Sequence, residues 1–240
     1  MAHAYTLTLH NRSPQPDLTF AVFAVLPVNT GQRATPALPP PKNGAANVYP
    51  LVWLSKALAQ GHRVDFTWTP DFSLAFAGRP CRENHPWRAD NDEPLPVVWD
   101  DTDRNSAVLD RPGSDYTLAR SEDPHPLHRP RVFLDTTGSI PPWHPDNGPS
   151  VALAAESGEL DHRQTPTPAI ATDSGPNLLH TFDLAPDYYI HAGQDPAATM
   201  LPLDTVTGFH PVPFPGHHRT AEWTLNEANL WVEGAPDRTS

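Results

Sequence analysis

The sequence has one cysteine, Cys81, among 240 residues. No disulfide can form within the chain, which suits a reducing compartment. Basic residues are also sparse. Sixteen Lys plus Arg stand against 28 Asp plus Glu, for a formal net charge of −12. They are scattered along the chain and form no stripe. A phosphate backbone or an anionic lipid surface attracts clustered positive charge, so neither nucleic acid nor membrane is expected as a partner. Long apolar runs are missing too, and nothing approaches the roughly eighteen residues of a spanning helix. The opening Met1-Ala-His-Ala-Tyr5 has neither a basic segment nor a long apolar stretch, so no secretory leader is expected. The default location is the cytoplasm, with leaderless export left open. No HExxH and no GxSxG elbow occur. No cofactor and no enzymatic activity are expected.

Proline is the excess, at 31 residues against 13 glycines. Proline donates no backbone hydrogen bond and breaks helix interiors. A chain so rich in it is either disordered or divided into short strands joined by long loops. Seven Trp, nine Phe and five Tyr argue against disorder, which goes with few aromatics.

Strand patterns recur along the chain. Tyr5, Leu7 and Leu9 alternate with Thr6, Thr8 and His10, as in a half-buried strand. Residues 20–26 are continuously apolar and read as a strand buried on both faces. Residues 27–47 read as a long loop around the triple proline Pro39-Pro40-Pro41. Residues 48–58 fit a short helix or a loop. Val64, Phe66 and Trp68, then Phe72, Leu74 and Phe76, predict two strands joined by a Pro70-Asp71 turn. Shorter strands are expected over 97–99, 115–119, 131–134, 150–155, 178–184 and 188–191. Residues 221–232 read as a hairpin with a four-residue loop. No βαβ rhythm and no internal repeat appear. The expected fold is all-β: a single antiparallel β-sandwich domain over residues 1–240. It would carry long proline-rich insertions near 27–47, 79–96 and 121–130 and at most one short helix.

Several blocks carry a family resemblance. Tyr5-Thr6-Leu7-Thr8-Leu9, Trp53-Leu54-Ser55-Lys56 and Val64-Asp65-Phe66-Thr67-Trp68-Thr69 resemble the first half of the RhiA-like proteins. Gly138-Ser139-Ile140-Pro141 with Ser150-Val151-Ala152-Leu153 resembles the middle. Pro186-Asp187-Tyr188-Tyr189-Ile190 and the closing hairpin resemble the end. The blocks keep their order over nearly the whole chain, and the departures lie in the proline-rich loops. The resemblance implies a β-rich, bacterial, non-enzymatic protein and supplies no catalytic residues.

Local chemistry offers only fragments. Asp101-x-Asp103-x-Asn105 opens like a calcium loop, but Ser106 and Pro112 occupy the glycine and glutamate positions. It reads as a solvated acidic turn, as do Asp90, Asp92 and Glu93. His125 with His128, and His217 with His218, lie in loops without the convergent set a zinc site requires. Asp173-Ser174-Gly175-Pro176 faintly resembles a nucleophile loop but lacks flanking glycines and a partner histidine block. Cys81 between Arg79 and Arg82 lacks a histidine partner and reads as a structural thiol. Trp87, Trp99 and Trp143 lie near prolines and acids. They either staple loops or stack on a sugar face, and they are the candidate ligand-binding residues. The leading expectation is a non-catalytic structural or interaction protein that associates with itself or with another protein. A carbohydrate- or small-ligand-binding module is the alternative, and no metal site is expected.

Overall fold

The computed structural model describes residues 4–32, 48–123, 125, 130–144, 146–159, 165–194, 198–216 and 218–236. Among these, the chain forms seventeen strands and one short helix. In chain order the first strands are β1 (Tyr5–Asn11), β2 (Thr19–Val25), β3 (Val28–Gln32), β4 (Val48–Pro50), β5 (Leu54–Ala57) and β6 (Arg63–Ala77). Next come β7 (Leu95–Val97), β8 (Ser106–Asp110), β9 (Thr117–Arg120), β10 (Arg131–Thr136), β11 (Ser150–Glu159) and β12 (Thr165–Asp173). The last are β13 (Leu178–Asp183), β14 (Asp187–Gly193), α1 (Leu203–Thr207), β15 (His210–Val212), β16 (Thr220–Leu225) and β17 (Trp231–Glu233).

The strands form three sheets. The largest follows the order β17-β16-β1-β6-β11-β12-β4, with β7 added beside β6. A five-stranded sheet runs β3-β13-β10-β8-β9, and a four-stranded sheet runs β15-β14-β2-β5. The all-β expectation with one short helix holds. The expectation of purely antiparallel pairing does not. β1 pairs with β16 in parallel, and so does β8 with β10. Parallel neighbours need a long crossover between them. Here the first and penultimate strands of the largest sheet come together from opposite ends of the chain, which local pattern cannot reveal.

One core cluster draws side chains from all three sheets. Leu9, Trp68 and Leu153 come from the first, Leu134 and Phe182 from the second, and Phe20, Val22 and Ile190 from the third. Two smaller clusters cover the outer faces. Ala75, Ala152 and Ala171 of the largest sheet pack with Leu51, Trp87 and Met200. Ala21 and Phe23 of β2 pack with Val52, Leu201 and Val206, the last of these on α1.

The expected turn at Pro70-Asp71 is not one. β6 runs through it as a single strand of 15 residues. Opposite it, Ala155 faces Phe72 and Ser157 faces Trp68, so Thr69, Pro70 and Asp71 together oppose Glu156 alone. This bulge adds two residues and therefore keeps the alternation in phase. Phe66, Trp68, Phe72, Leu74 and Phe76 all stay on the inner face. The exposed Pro70 sits where no ladder bond is needed.

Three other readings are corrected. Residues 48–58 are neither helix nor loop but contain β4 and β5. Leu51, Val52 and Trp53 between them enter three different clusters, so all are buried as the chain crosses between sheets. Residues 28–32 of the expected loop form β3, while 33–47, including the triple proline, lie outside the described residues. β8, β12 and β15 were not anticipated. In β12, Pro166 and Pro168 mimic a loop, but β4 pairs only with Ile170 to Thr172, so the outer side of the proline segment needs no donors. Residue 169 is skipped in the β11 register, where Leu153 faces Ile170 and Ala154 faces Pro168.

Leu153 sits fully buried between β6 and β12 in the middle of the largest sheet. Leu153→Ala is expected to lower unfolding free energy by about 2–5 kcal/mol. Urea denaturation of the variant beside the wild type checks this.

Candidate functional site

The closing hairpin is the first candidate. β17 is an outer strand of the largest sheet and pairs only with β16 among the described residues. The turn is built by Asn226, whose Oδ1 accepts the N–H groups of Ala228 at 2.9 Å and Leu230 at 3.0 Å. Asn229 takes φ 60°, the left-handed conformation that asparagine tolerates. The inner side of the hairpin is anchored by Trp231, whose ring meets Phe20 edge-on at 5.5 Å. The other side is bare. Leu230 is 62% exposed and Val232 is 49% exposed. With Trp99 they make up the exposed large hydrophobic residues among those described.

The backbone of β17 is equally open. The Asn226 N–H donates to the Leu230 carbonyl at 3.0 Å, and the Gly234 N–H donates to the Glu222 carbonyl at 2.7 Å. Peptide groups alternate in direction along a strand. Residues 230, 232 and 234 therefore face β16, and Trp231 and Glu233 present their N–H and C=O groups to the open edge.

The second candidate is an aromatic crevice between the largest and the four-stranded sheets. Trp68 and Phe72 of β6, Tyr188 of β14 and Trp53 line it with small and apolar neighbours. The Trp68 N–H donates to the Tyr188 hydroxyl at 3.0 Å. Tyr5 stacks on Trp68 with ring centres 5.6 Å apart, and the Arg219 guanidinium lies 4.8 Å above the Tyr5 ring. Burial pushes the Tyr188 phenol well above its usual pKa. The crevice encloses about 260 Å³ when open solvent at its mouth is included, and without movement of its walls it holds a single water.

Two buried polar clusters complete the inventory. Ser174, His180 and Thr30 form a chain. The Ser174 Oγ lies 2.8 Å from His180 Nε2, and the Thr30 Oγ1 lies 3.1 Å from His180 Nδ1. The sequence had given Ser174 no histidine partner; the fold supplies one six residues away, across the β12–β13 connection. The pair has the spacing of a nucleophile and its base. However, Ser174 and His180 are both 0% exposed, and a neutral threonine stands where an orienting carboxylate would. A neutral imidazole offers one donor and one acceptor, which two hydroxyls satisfy. The chain ties β3 to β13 and the turn before it.

In the second cluster, the Cys81 N–H donates to the Asp173 Oδ1 at 2.7 Å. Burial first and then Asp173 push the Cys81 thiol well up. The flanking arginines do not counter this. Arg79 pairs with Asp90 at 3.0 Å and Arg82 with Asp146 at 3.6 Å. Tyr49 nearby is pushed up to about 12, by burial first and by Asp173, Cys81 and Glu83 after it.

The three candidate tryptophans are not alike. Trp87 is 2% exposed, so its ring offers no face to a sugar. Its indole donates to Ser150 Oγ at 2.9 Å, and its backbone N–H donates to Ala198 at 2.9 Å. It pins the loop between β6 and β7 against the sheet. Trp143 is half-buried beside Gly148, and Trp99 is 41% exposed on the turn after β7. The acidic segment is a turn as well: Asp101 Oδ1 accepts the Asp103 N–H at 3.0 Å, and Asn105 is fully buried. His125 is more enclosed than a loop residue was expected to be. Its Nε2 lies 2.9 Å from the Asp135 Oδ2, and its ring stacks on Phe133 at 4.5 Å. His128 and His217 lie outside the described residues. Among the described residues, no group of three or more His, Cys, Asp or Glu could hold a metal ion.

No protein-family model and no solved structure matches the chain. Among curated proteins, Protein RhiA of Rhizobium leguminosarum bv. viciae is 25% identical over 239 residues, covering 95% of this chain and 84% of RhiA. The chain is a distant homologue of RhiA. The resemblance read from the sequence blocks holds, and the name RhiA states no substrate or partner. The chemistry of each site therefore rests on this chain's own residues.

Burial holds the His180 pKa down to about 4 against its usual 6.5. Below pH 6.5 the unfolded chain takes up a proton that the folded site refuses. Stability should fall as pH drops through 6.5 and level off near 4, a loss on the order of 3 kcal/mol from this group. Urea midpoints measured between pH 7.5 and 4 check this, and His180→Gln should remove that component of the slope.

Proposed function

We propose that this is a non-catalytic interaction protein that pairs with a second copy of itself through β17. The observation that carries this reading is the open edge, where unpaired backbone groups coincide with exposed Leu230 and Val232. Such an edge is a ready template for another strand, and soluble proteins ordinarily block it with charge or proline. An antiparallel two-fold pairing centred on Val232 is self-complementary. Val232 would face Val232 of the second copy, Trp231 would face Glu233, and Leu230 would face Gly234, so no two like charges meet. In this reading the largest and the four-stranded sheets act as two layers of a β-sandwich, and the hairpin is its exposed lip. The partner is protein, in a cytoplasmic setting, with neither nucleic acid nor membrane involved.

A net charge of −12 repels a second copy at long range. Association resting on backbone pairing and apolar contact should therefore strengthen as salt rises, whereas pairing with a basic partner would weaken. Sedimentation velocity over a wide concentration range should show a monomer–dimer equilibrium. Val232→Lys, which brings two lysines together, should weaken it at least about tenfold, or about 1.4 kcal/mol. Glu233→Pro should do the same by removing an outward N–H while leaving the β16 bonds intact. A strict monomer, or variants that associate like the wild type, would overturn the proposal.

A further inference from the structure

The aromatic crevice contains an unmet demand for hydrogen bonds. The indole N–H of Trp53 and the hydroxyl of Thr69 are both sealed from solvent, and neither has a partner. Both residues line the same crevice. Trp53 is 3% exposed, so bulk solvent does not reach it. A buried donor without a partner is destabilising, and natural structures rarely leave one without a reason. Two on one small site point to an occupant.

The walls say what kind. Every residue lining the crevice is uncharged, so nothing there would compensate a desolvated ion. The protein's net negative charge disfavours anions further. The polar demand is small: one N–H that needs an acceptor and one hydroxyl that can donate or accept. The Tyr188 hydroxyl is already engaged by Trp68. A polyhydroxylated sugar would leave most of its hydroxyls against aromatic and alanine walls. A single hydroxyl on an apolar body would not.

We infer that the crevice is a binding site for a neutral, mono-hydroxylated apolar molecule. Its oxygen accepts from Trp53 Nε1 and exchanges a hydrogen bond with Thr69 Oγ1. Its body lies against Trp68 and Pro186 of the lining. The unmoved crevice holds no more than a water, so entry requires the half-buried Phe72 ring to move outward. The bulge explains why the site exists: it lifts Thr69 out of the β6–β11 ladder, to the crevice wall. This site is independent of the β17 edge.

The test uses the intact protein and cyclohexanol as probe, read from the indole N–H resonances of its seven tryptophans. Trp53→Phe assigns the Trp53 signal. Cyclohexanol should move that signal saturably. Thr69→Val keeps the shape and removes only an unpartnered hydroxyl, so it should fold as well as the wild type. It should weaken binding by about threefold to tenfold, the value of one net hydrogen bond. Cyclohexylammonium, cyclohexanecarboxylate and methyl glucoside should give no saturable shift. An unmoved Trp53 signal, cyclohexanol binding unaffected by Thr69→Val, or glucoside binding as tight as cyclohexanol would each overturn the inference.

Discussion

The bulge in β6 is the constraint on which the rest of the molecule depends. β6 borders β1 along its first half and β7 along its second, with β11 on its other side. Its aromatic and leucine side chains supply one wall of the main core along its whole length. A one-residue slip would turn those side chains to the opposite face. By inserting two residues, the bulge bends the strand without reversing its faces. β1 and β11 can then lie on one continuous sheet while their partners see the same inner surface.

Both functional proposals follow from this arrangement. β1 is fixed beside β6, β16 joins β1 in parallel, and β17 hangs on β16 as the last strand. Trp231 locks the hairpin to Phe20 of β2, so the edge is held in place although it is open. At the other end of the same constraint, the displaced Thr69 becomes part of the crevice wall. The edge offers backbone groups and aliphatic surface, which suit a protein strand. The crevice offers two polar atoms among rings, which suit a small neutral molecule.

Much of the fold was legible in the sequence. The alternating blocks of β1, β6 and the closing hairpin, and the continuous run of β2, all mark strands that exist. What failed was local: Pro70-Asp71 reads as a turn because proline lacks a donor, but a bulge needs none. Parallel pairing and the crossing segment 51–53 depend on contacts between distant parts of the chain. The sites were less legible. Trp87 carries the composition of a stacking residue and the environment of a core one. Trp53 and Trp68 are core residues; their role at the crevice depends on the unpaired Trp53 indole and on Thr69, which only the assembled sheets reveal. His180 shares the buried face of β13 with Leu178 and Phe182, like any core position, so its bond to Ser174 left no trace in spacing.

The most direct test of the account is amide hydrogen exchange at Trp231 and Glu233 as a function of protein concentration. If β17 is an open edge that closes on a second copy, both amides exchange rapidly in dilute solution and become protected as concentration rises. The amides of Val232 and Gly234, which face β16, stay protected throughout. Protection at Trp231 and Glu233 that does not change with concentration would contradict it.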